Sequence, residues 1–349
     1  MNPYILFILL TALGLGTITT FASSHWLLAW MGLEINTLAI IPLMAQNHHP
    51  RAVEAATKYF LTQAAAAATL LFASTTNAWI TGQWDIVQLT HPLPLALALT
   101  AIALKIGLAP VHSWLPEVLQ GLDLTTGLVL STWQKLAPFA LLLQLQTSYS
   151  AYPLLIMGIL STLVGGWGGL NQTQLRKILA YSSIAHLGWM VMVMQFSPAL
   201  TMLTLIIYIT MTSSIFLTFK TNNSTTISQL ALSWSKAPAL TALAPLLLLS
   251  LSGLPPLTGF MPKWLIIHEL TKQDLLTLAT LAALSALLSL YFYLRLSYAM
   301  ALTTPPNNLV NTSSWRLSPP KVNPLLATSS TATLALLPLT PGMLALFTT

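Results

Sequence analysis

Ala103-Leu-Lys105-Ile-Gly107-Leu-Ala-Pro110-Val-His112-Ser-Trp-Leu-Pro116 follows a clean apolar run, yet it holds a lysine, a glycine, a histidine and two prolines. Pro110 and Pro116 each remove a backbone N–H donor, so a helix through them must bend or break. In hydrocarbon, freed carbonyls persist only where protein or a wet cavity satisfies them. A lysine at such a break costs roughly 2.5–3.5 kcal/mol on insertion scales. A broken membrane helix with a charge at the break is the usual pointer to an ion or substrate site. The same device returns in Ser252-Gly-Leu-Pro255-Pro256-Leu-Thr-Gly259-Phe-Met-Pro262-Lys263-Trp264. Two such segments suggest two related halves, each contributing a half-site.

Composition agrees with a membrane setting. The chain has 349 residues, 55% hydrophobic and 6% charged, with mean hydropathy +0.74. A soluble domain carries about 25% charged residues, so a large soluble helical core is excluded for want of charge to solvate its surface. The net charge of +6 would suggest nucleic acid in a soluble chain. Here the basic residues fall mostly in short loops, where topology explains them, and no nucleic-acid partner is expected. There is no cysteine, hence no disulfide, iron–sulfur ligand or zinc thiolate in this chain. Met1-Asn-Pro-Tyr runs directly into an apolar span with no basic stretch ahead of it, so the first helix is expected to be retained.

Spans of roughly 17–25 residues predict an all-α polytopic membrane protein of about 11 transmembrane helices. The expected spans are Pro3–Phe21, Trp26–Ala45, Ala55–Ile80, Leu93–Leu115, Thr125–Leu145, Tyr152–Leu170, Leu175–Gln195, Pro198–Phe219, Ala237–Leu270, Leu275–Leu302 and Pro324–Phe347. Arg51, Arg176, Lys177, Lys220, Lys236, Arg316 and Lys321 follow even-numbered spans, and only Lys272 follows an odd one. The basic side faces the compartment of synthesis, which puts the N-terminus there and the C-terminus opposite. Trp26, Trp79, Trp84, Trp114, Trp234 and Trp315 fall near span ends, as an aromatic belt predicts. If spans 1–5 and 6–10 are repeats, broken spans 4 and 9 correspond, and an odd repeat length makes the second copy inverted. The expected division is 1–149, 150–302, and 303–349 for an exposed loop (Thr303–Asn323) and a C-terminal helix.

Glu34, Lys105, Lys135 and Lys263 are ionisable groups inside spans that stand out as candidates, and Lys58 lies near the start of the third span. A lone carboxyl at Glu34 pays desolvation unless it is paired or protonated. It is either a neutral packing group or the partner of Lys105. Lys135 lies deep in span 5, where desolvation brings an ammonium's proton within reach of exchange; the alternative is snorkelling to an interface. Lys263 either shares such a role or sits solvated near the surface. Six residues separate it from Glu269, too far for a direct helical pair. His112 and His186 can relay protons or serve as hydrogen-bonded structural groups. His186 ends the polar strip Tyr181-Ser-Ser-Ile-Ala-His186, and serine also glues membrane helices. The Gly165-Gly166-Trp167-Gly168-Gly169 run reads as close packing rather than a phosphate cradle. There is no Walker, GxGxxG or HExxH pattern.

The opening Met-Asn-Pro with its first spans, the Lys105-to-Pro116 motif, Lys177-Ile-Leu-Ala-Tyr-Ser-Ser-Ile-Ala-His186, and Gly253-to-Lys263 together resemble the antiporter-like subunits in the membrane arm of mitochondrial NADH:ubiquinone oxidoreductase, respiratory complex I. The resemblance covers essentially the whole chain. It implies that Glu34 is the family's glutamate on the second span, Lys105 and Lys263 its lysines on the broken helices, and Lys135 its central lysine. It implies proton translocation driven by electron transfer from NADH to ubiquinone. NAD, FMN, Fe–S clusters and ubiquinone are then used elsewhere in the complex, with no cofactor and no metal in this chain. The implied partners are other complex I subunits, especially neighbouring antiporter-like ones, and lipids such as cardiolipin. The implied location is the mitochondrial inner membrane, with the matrix on the basic side. The rival readings are a free-standing cation/proton antiporter, which works without NADH, and a structural spacer, which the cost of several ionisable groups in spans opposes.

Overall fold

The computed structural model describes residues 2–46, 49–145, 151–235, 237–302 and 323–348. His48, Lys236, Trp315, Arg316, Lys321 and residues 303–322 of the expected loop lie outside the described residues. The rest is helical: α1 (Pro3–Ala22), α2 (Trp26–Met44), α3 (Pro50–Thr81), α4 (Pro92–Ile106), α5 (Trp114–Gly121), α6 (Leu124–Gln144), α7 (Ala151–Gly169), α8 (Leu175–Val193), α9 (Pro198–Thr221), α10 (Ile227–Ala231), α11 (Pro238–Ser252), α12 (Phe260–Lys272), α13 (Leu276–Ala301), α14 (Pro324–Ala335) and α15 (Thr340–Thr348). Proline opens α1, α3, α4, α9, α11 and α14, a position where its missing N–H is not needed.

The chain divides into two compact units, Met1–Met157 and Gly158–Thr349, the division falling within α7. In the first, α1 and α2 meet at small residues. A Cβ on Gly16 would lie 2.8 Å from the Gly32 carbonyl and 2.5 Å from Asn36 Oδ1, so only glycine permits this approach. In the second, a Cβ on Gly165 would lie 2.6 Å from Ala185 N, and one on Gly169 would lie 2.8 Å from the Phe292 ring. The glycine run is thus a packing surface between α8 and α13. Just past it, Arg295 of α13 donates to the carbonyls of Leu170 and Gln172. A guanidinium fork thereby satisfies backbone left open at the end of α7.

The units share local geometry, in one register along α1–α2 and α7–α8. His25 bridges Asp85 in the first, and Gln174 bridges Thr226 in the second. Gly16 approaches Gly32 and Asn36, whereas Gly165 approaches Tyr181 and Ala185. Each corresponding pair (16 and 165, 25 and 174, 32 and 181, 36 and 185) is 149 residues apart.

Both breaks form where glycine and proline predict them. α4 ends in Gly107 at φ 87°, and α11 ends in Gly253 at φ 80°, the left-handed conformation that favours glycine. Leu108 N donates to Ala103 O, and Leu254 N to Leu249 O, closing the half-helices alike. Pro116 and Pro262 sit in the first turns of α5 and α12, where the missing donor costs little. Counted from these glycines, Lys105 precedes its break and Lys263 follows its own. The counterpart of Lys263 is Glu117, and that of Lys105 is Leu251.

Among the described residues, five helices are long and apolar enough to cross a membrane: Pro3–Ala22, Trp26–Met44, Tyr152–Gly169, Pro198–Thr221 and Leu276–Ala301. The pair Pro324–Ala335 and Leu337–Phe347, bent by 69°, makes at most a sixth. The broken helices do not pass alone, because α4 and α11 are 15 residues each. The chain is an all-helical membrane protein. Trp26 and Trp114 depart from the expected aromatic belt, being 1% and 7% exposed. Both serve in the interior of their unit, and Trp79, at 92%, keeps the outward position a belt requires.

Candidate functional site

In the first unit, α2, α3, α4, α5 and α6 enclose a cavity of about 20 Å³ lined by Asn36, Gln63, Lys105, Trp114, Gln134 and Lys135, among others. That is room for about one water. Lys105 and Lys135 are buried, at 6% and 5% exposure. Lys105 stands in the last turn of α4, where the helix dipole favours a cation. Its Nζ has no hydrogen-bond partner, and neither do Asn36 Nδ2 and Oδ1 or Gln63 Nε2. Gln134 Nε2 donates to Asn36 O at 3.2 Å. Pro138, inside α6, removes the donor that would close on the Gln134 carbonyl. Polar capacity therefore gathers beside Lys135.

The expected Glu34–Lys105 pair is not closed. Glu34 is half-buried, and its Oε2 accepts from Thr37 Oγ1 at 3.4 Å. It acts on Lys105 only through space. The orphaned carbonyl of Leu104 takes the Trp114 indole N–H at 2.9 Å, which ties the loop back to the end of α4, while Lys105 lines the cavity. Sequence spacing gave no sign of this ten-residue reach. His112 is half-buried and does not line the cavity; its Nδ1 lies 3.2 Å from Pro110 O within the break. Lys58 makes an exposed cluster, its Nζ 2.9 Å from both Glu54 and Glu117. The ammonium holds the Glu54 carboxyl below its usual range.

In the second unit, α8, α9 and α12 line another cavity of about 20 Å³ with His186, Trp189, Thr204, Tyr208, Gly259 and Lys263, among others. The Lys263 ammonium donates to Ser252 O at 2.8 Å and lies 5.9 Å from the Trp189 ring centroid, within reach of a cation–π contact. It crosses the break over Gly253, where a Cβ would meet its Cδ at 2.8 Å. The half-buried residue is therefore not simply solvated. Glu269 pairs with Lys272 at 3.5 Å rather than with Lys263. The His186 ring lies 5.7 Å from that of Tyr208.

The structure thus groups Lys105 with Lys135, and His186 with Lys263, and leaves His112 and Glu34 at the side. Sequence reasoning missed Asn36, Gln63, Gln134, Tyr208 and Arg295. For Arg295 the signal existed: a lone arginine within Leu276–Ala301 is as anomalous as the lysines. Among the described residues, no group of three His, Asp or Glu side chains converges as a metal site.

Comparison with known proteins extends this picture. Residues 23–289 match the family NADH:quinone oxidoreductase/Mrp antiporter, TM, and residues 290–344 match the family NADH dehydrogenase subunit 2 C-terminus. The chain is 72% identical to NADH-ubiquinone oxidoreductase chain 2 of Tetraodon nigroviridis, over 99% of both chains. It is 69% identical to that of Salmo salar, over the full length of both. A chain of respiratory complex I from Thermus thermophilus shares its fold at TM-score 0.87 and 28% identity, covering 99% of this chain and 80% of that one. A chain of the Mrp complex from a Dietzia species matches at 0.76 and 18% identity, over 97% and 74%, a likeness of fold alone. With broken helices, buried lysines and end-to-end identity in agreement, the chain belongs to the NADH-ubiquinone oxidoreductase chain 2 family.

Proposed function

We propose that this chain is a proton-translocating membrane subunit of NADH:ubiquinone oxidoreductase. The observation that carries the reading is the burial of Lys105 and Lys135 on one polar cavity in a chain of this family. Buried ammonium groups are retained in a membrane protein where they serve ion or proton movement. In the proposed cycle, redox chemistry elsewhere in the complex changes the field on Glu34 and Lys105. Lys135 exchanges a proton with the cavity. The lysine sites of the two units, with Lys263 serving the second, are loaded and unloaded in sequence. Moving one charge against the potential costs about 2.3 kcal/mol per 100 mV, so the drive comes from outside this chain. NADH, FMN, iron–sulfur and ubiquinone chemistry belongs to partner subunits.

The finer reading of the architecture is about 11 spans in two inverted five-helix repeats, 1–149 and 150–302, followed by the segment 303–349. The 149-residue register of α1–α2 with α7–α8 and the paired breaks, whose glycines lie 146 residues apart, support it. The chain lies in the mitochondrial inner membrane, with its N-terminus on the matrix side and its C-terminus facing the intermembrane space. Its neighbours are other antiporter-like subunits and lipids such as cardiolipin. Full-length identity to complex I relatives favours this over a free-standing cation/proton antiporter. The test is Lys135→Met in the assembled complex, with NADH oxidation and proton uptake measured together in vesicles. Loss of coupled uptake in a complex that runs at full size on a native gel is expected. Uptake equal to the parent's overturns the proposal.

A further inference from the structure

The second unit has a cavity, a lysine and a histidine but no carboxylate near them. Its only acidic residues are Glu269 and Asp274. Glu269 is engaged by Lys272, and Asp274 follows the end of α12. In the shared 149-residue register, the place of Glu34 is taken by Ser183 and that of Thr37 by His186. Around Ser183 the polar groups are hydroxyls. Tyr208 of α9 is buried and its phenol is hydrogen-bonded to Ser183. It lines the same cavity as His186 and Lys263. Tyr293 of α13 is also buried, close enough to Tyr208 to interact with it electrostatically. Among the described residues its hydroxyl makes no hydrogen bond.

A buried phenol without full hydrogen bonding is destabilising by about 1–3 kcal/mol, and phenylalanine fills the same space without that cost. Tyr293 is such a phenol, and Tyr208 sets a second buried hydroxyl-bearing ring on the lysine cavity itself, a pairing that calls for a use of the hydroxyl. We propose that Tyr208 is a proton-relay residue of the second unit, working with Ser183 and Tyr293 between the His186–Lys263 cavity and the core of α8, α9 and α13. The step is a hydroxyl hop. The phenol oxygen accepts a proton from one neighbour as its own O–H bond breaks toward the other. The tyrosine ends neutral, and no co-reactant is consumed. A neutral relay suits a unit that has a cationic lysine and no carboxylate to balance it. The proposal rests on the proton-translocating reading above.

The test is Tyr208→Phe in the assembled complex reconstituted in vesicles, beside Lys263→Met. NADH-driven proton uptake is followed in H2O and in D2O. With full assembly, uptake by Tyr208→Phe is expected to slow on the order of 10²-fold, the size of one acid–base group, with a changed solvent-isotope ratio that a packing defect does not produce. Parental uptake and isotope ratio in Tyr208→Phe, with Lys263→Met inactive, overturn the relay and leave the wider reading standing. Parental uptake in both removes the wider reading. Should Tyr208→Phe fail to assemble, Tyr293→Phe decides: parental uptake and isotope ratio there overturn the relay, and loss of uptake with a changed ratio supports it.

Discussion

Trp114→Phe isolates the hydrogen bond that closes the first break beside Lys105. The α4 helix ends at Ile106, and Leu108 N, which an unbroken helix would give to Leu104 O, goes instead to Ala103 O at 2.9 Å. The Trp114 indole therefore supplies the donor that Leu104 O lacks. Phenylalanine keeps the ring, its burial and its edge contact with Tyr59, now at 5.8 Å, and removes only the N–H. Phenylalanine is also the residue at the corresponding place in the second break, Phe260, seven residues after its glycine. The expected cost is that of a buried unsatisfied carbonyl, about 1–3 kcal/mol, or roughly 5- to 150-fold in local opening. Hydrogen exchange followed by mass spectrometry reads this directly, as faster exchange in peptides covering residues 103–113 of the intact complex. The Lys105 ammonium can turn back to the freed carbonyl, as cations do at helix C-termini. The variant paired with Lys105→Met blocks that compensation and shows the full loss. Unchanged exchange in the double variant would refute the idea that the indole holds the break closed.

Two further outcomes follow from packing. A Cβ on Gly259 would lie 1.8 Å from the Ser250 carbonyl, which is backbone and cannot swing aside, whereas one on Gly14 meets nothing within 4 Å. Gly259→Ala is expected to deplete the full complex on a native gel, at a cost of about 1–3 kcal/mol or more, and Gly14→Ala to leave it at parental abundance. Arg295→Lys keeps the charge but cannot fork to both Leu170 and Gln172. It is expected to lose about 1.5–3 kcal/mol for the charged hydrogen bond given up, seen as a shorter thermal half-life of NADH oxidation.

The breaks were legible in the sequence because glycine and proline act locally. Gly107 and Gly253 adopt the left-handed conformation at the positions where their segments are interrupted. The buried lysines were legible because charge in an apolar run is costly wherever the chain folds. The relation of Glu34 to Lys105 was not, because Glu34 turns to Thr37 on its own helix while Lys105 lies on the cavity, and spacing alone sets neither. Tyr208 escaped notice because a tyrosine in an apolar helix reads as core, and only the placement of His186 and Lys263 around it distinguishes it. Trp26 was misread for a related reason: proximity to a helix end predicts the headgroup layer, but packing within the first unit takes it out of reach of lipid.

The two breaks are latched by groups of different kinds. A neutral indole closes the first, and an ammonium closes the second. An indole N–H is indifferent to the traffic of protons, so the first break keeps its shape whatever the state of Lys105. A charge-assisted hydrogen bond is roughly twice as strong as a neutral one. In the proposed cycle, each proton that leaves Lys263 slackens the fastening at Ser252, and each proton that returns tightens it. Under that proposal the second break would work as a clutch, in which the chemical event and the mechanical one share a single atom, Lys263 Nζ.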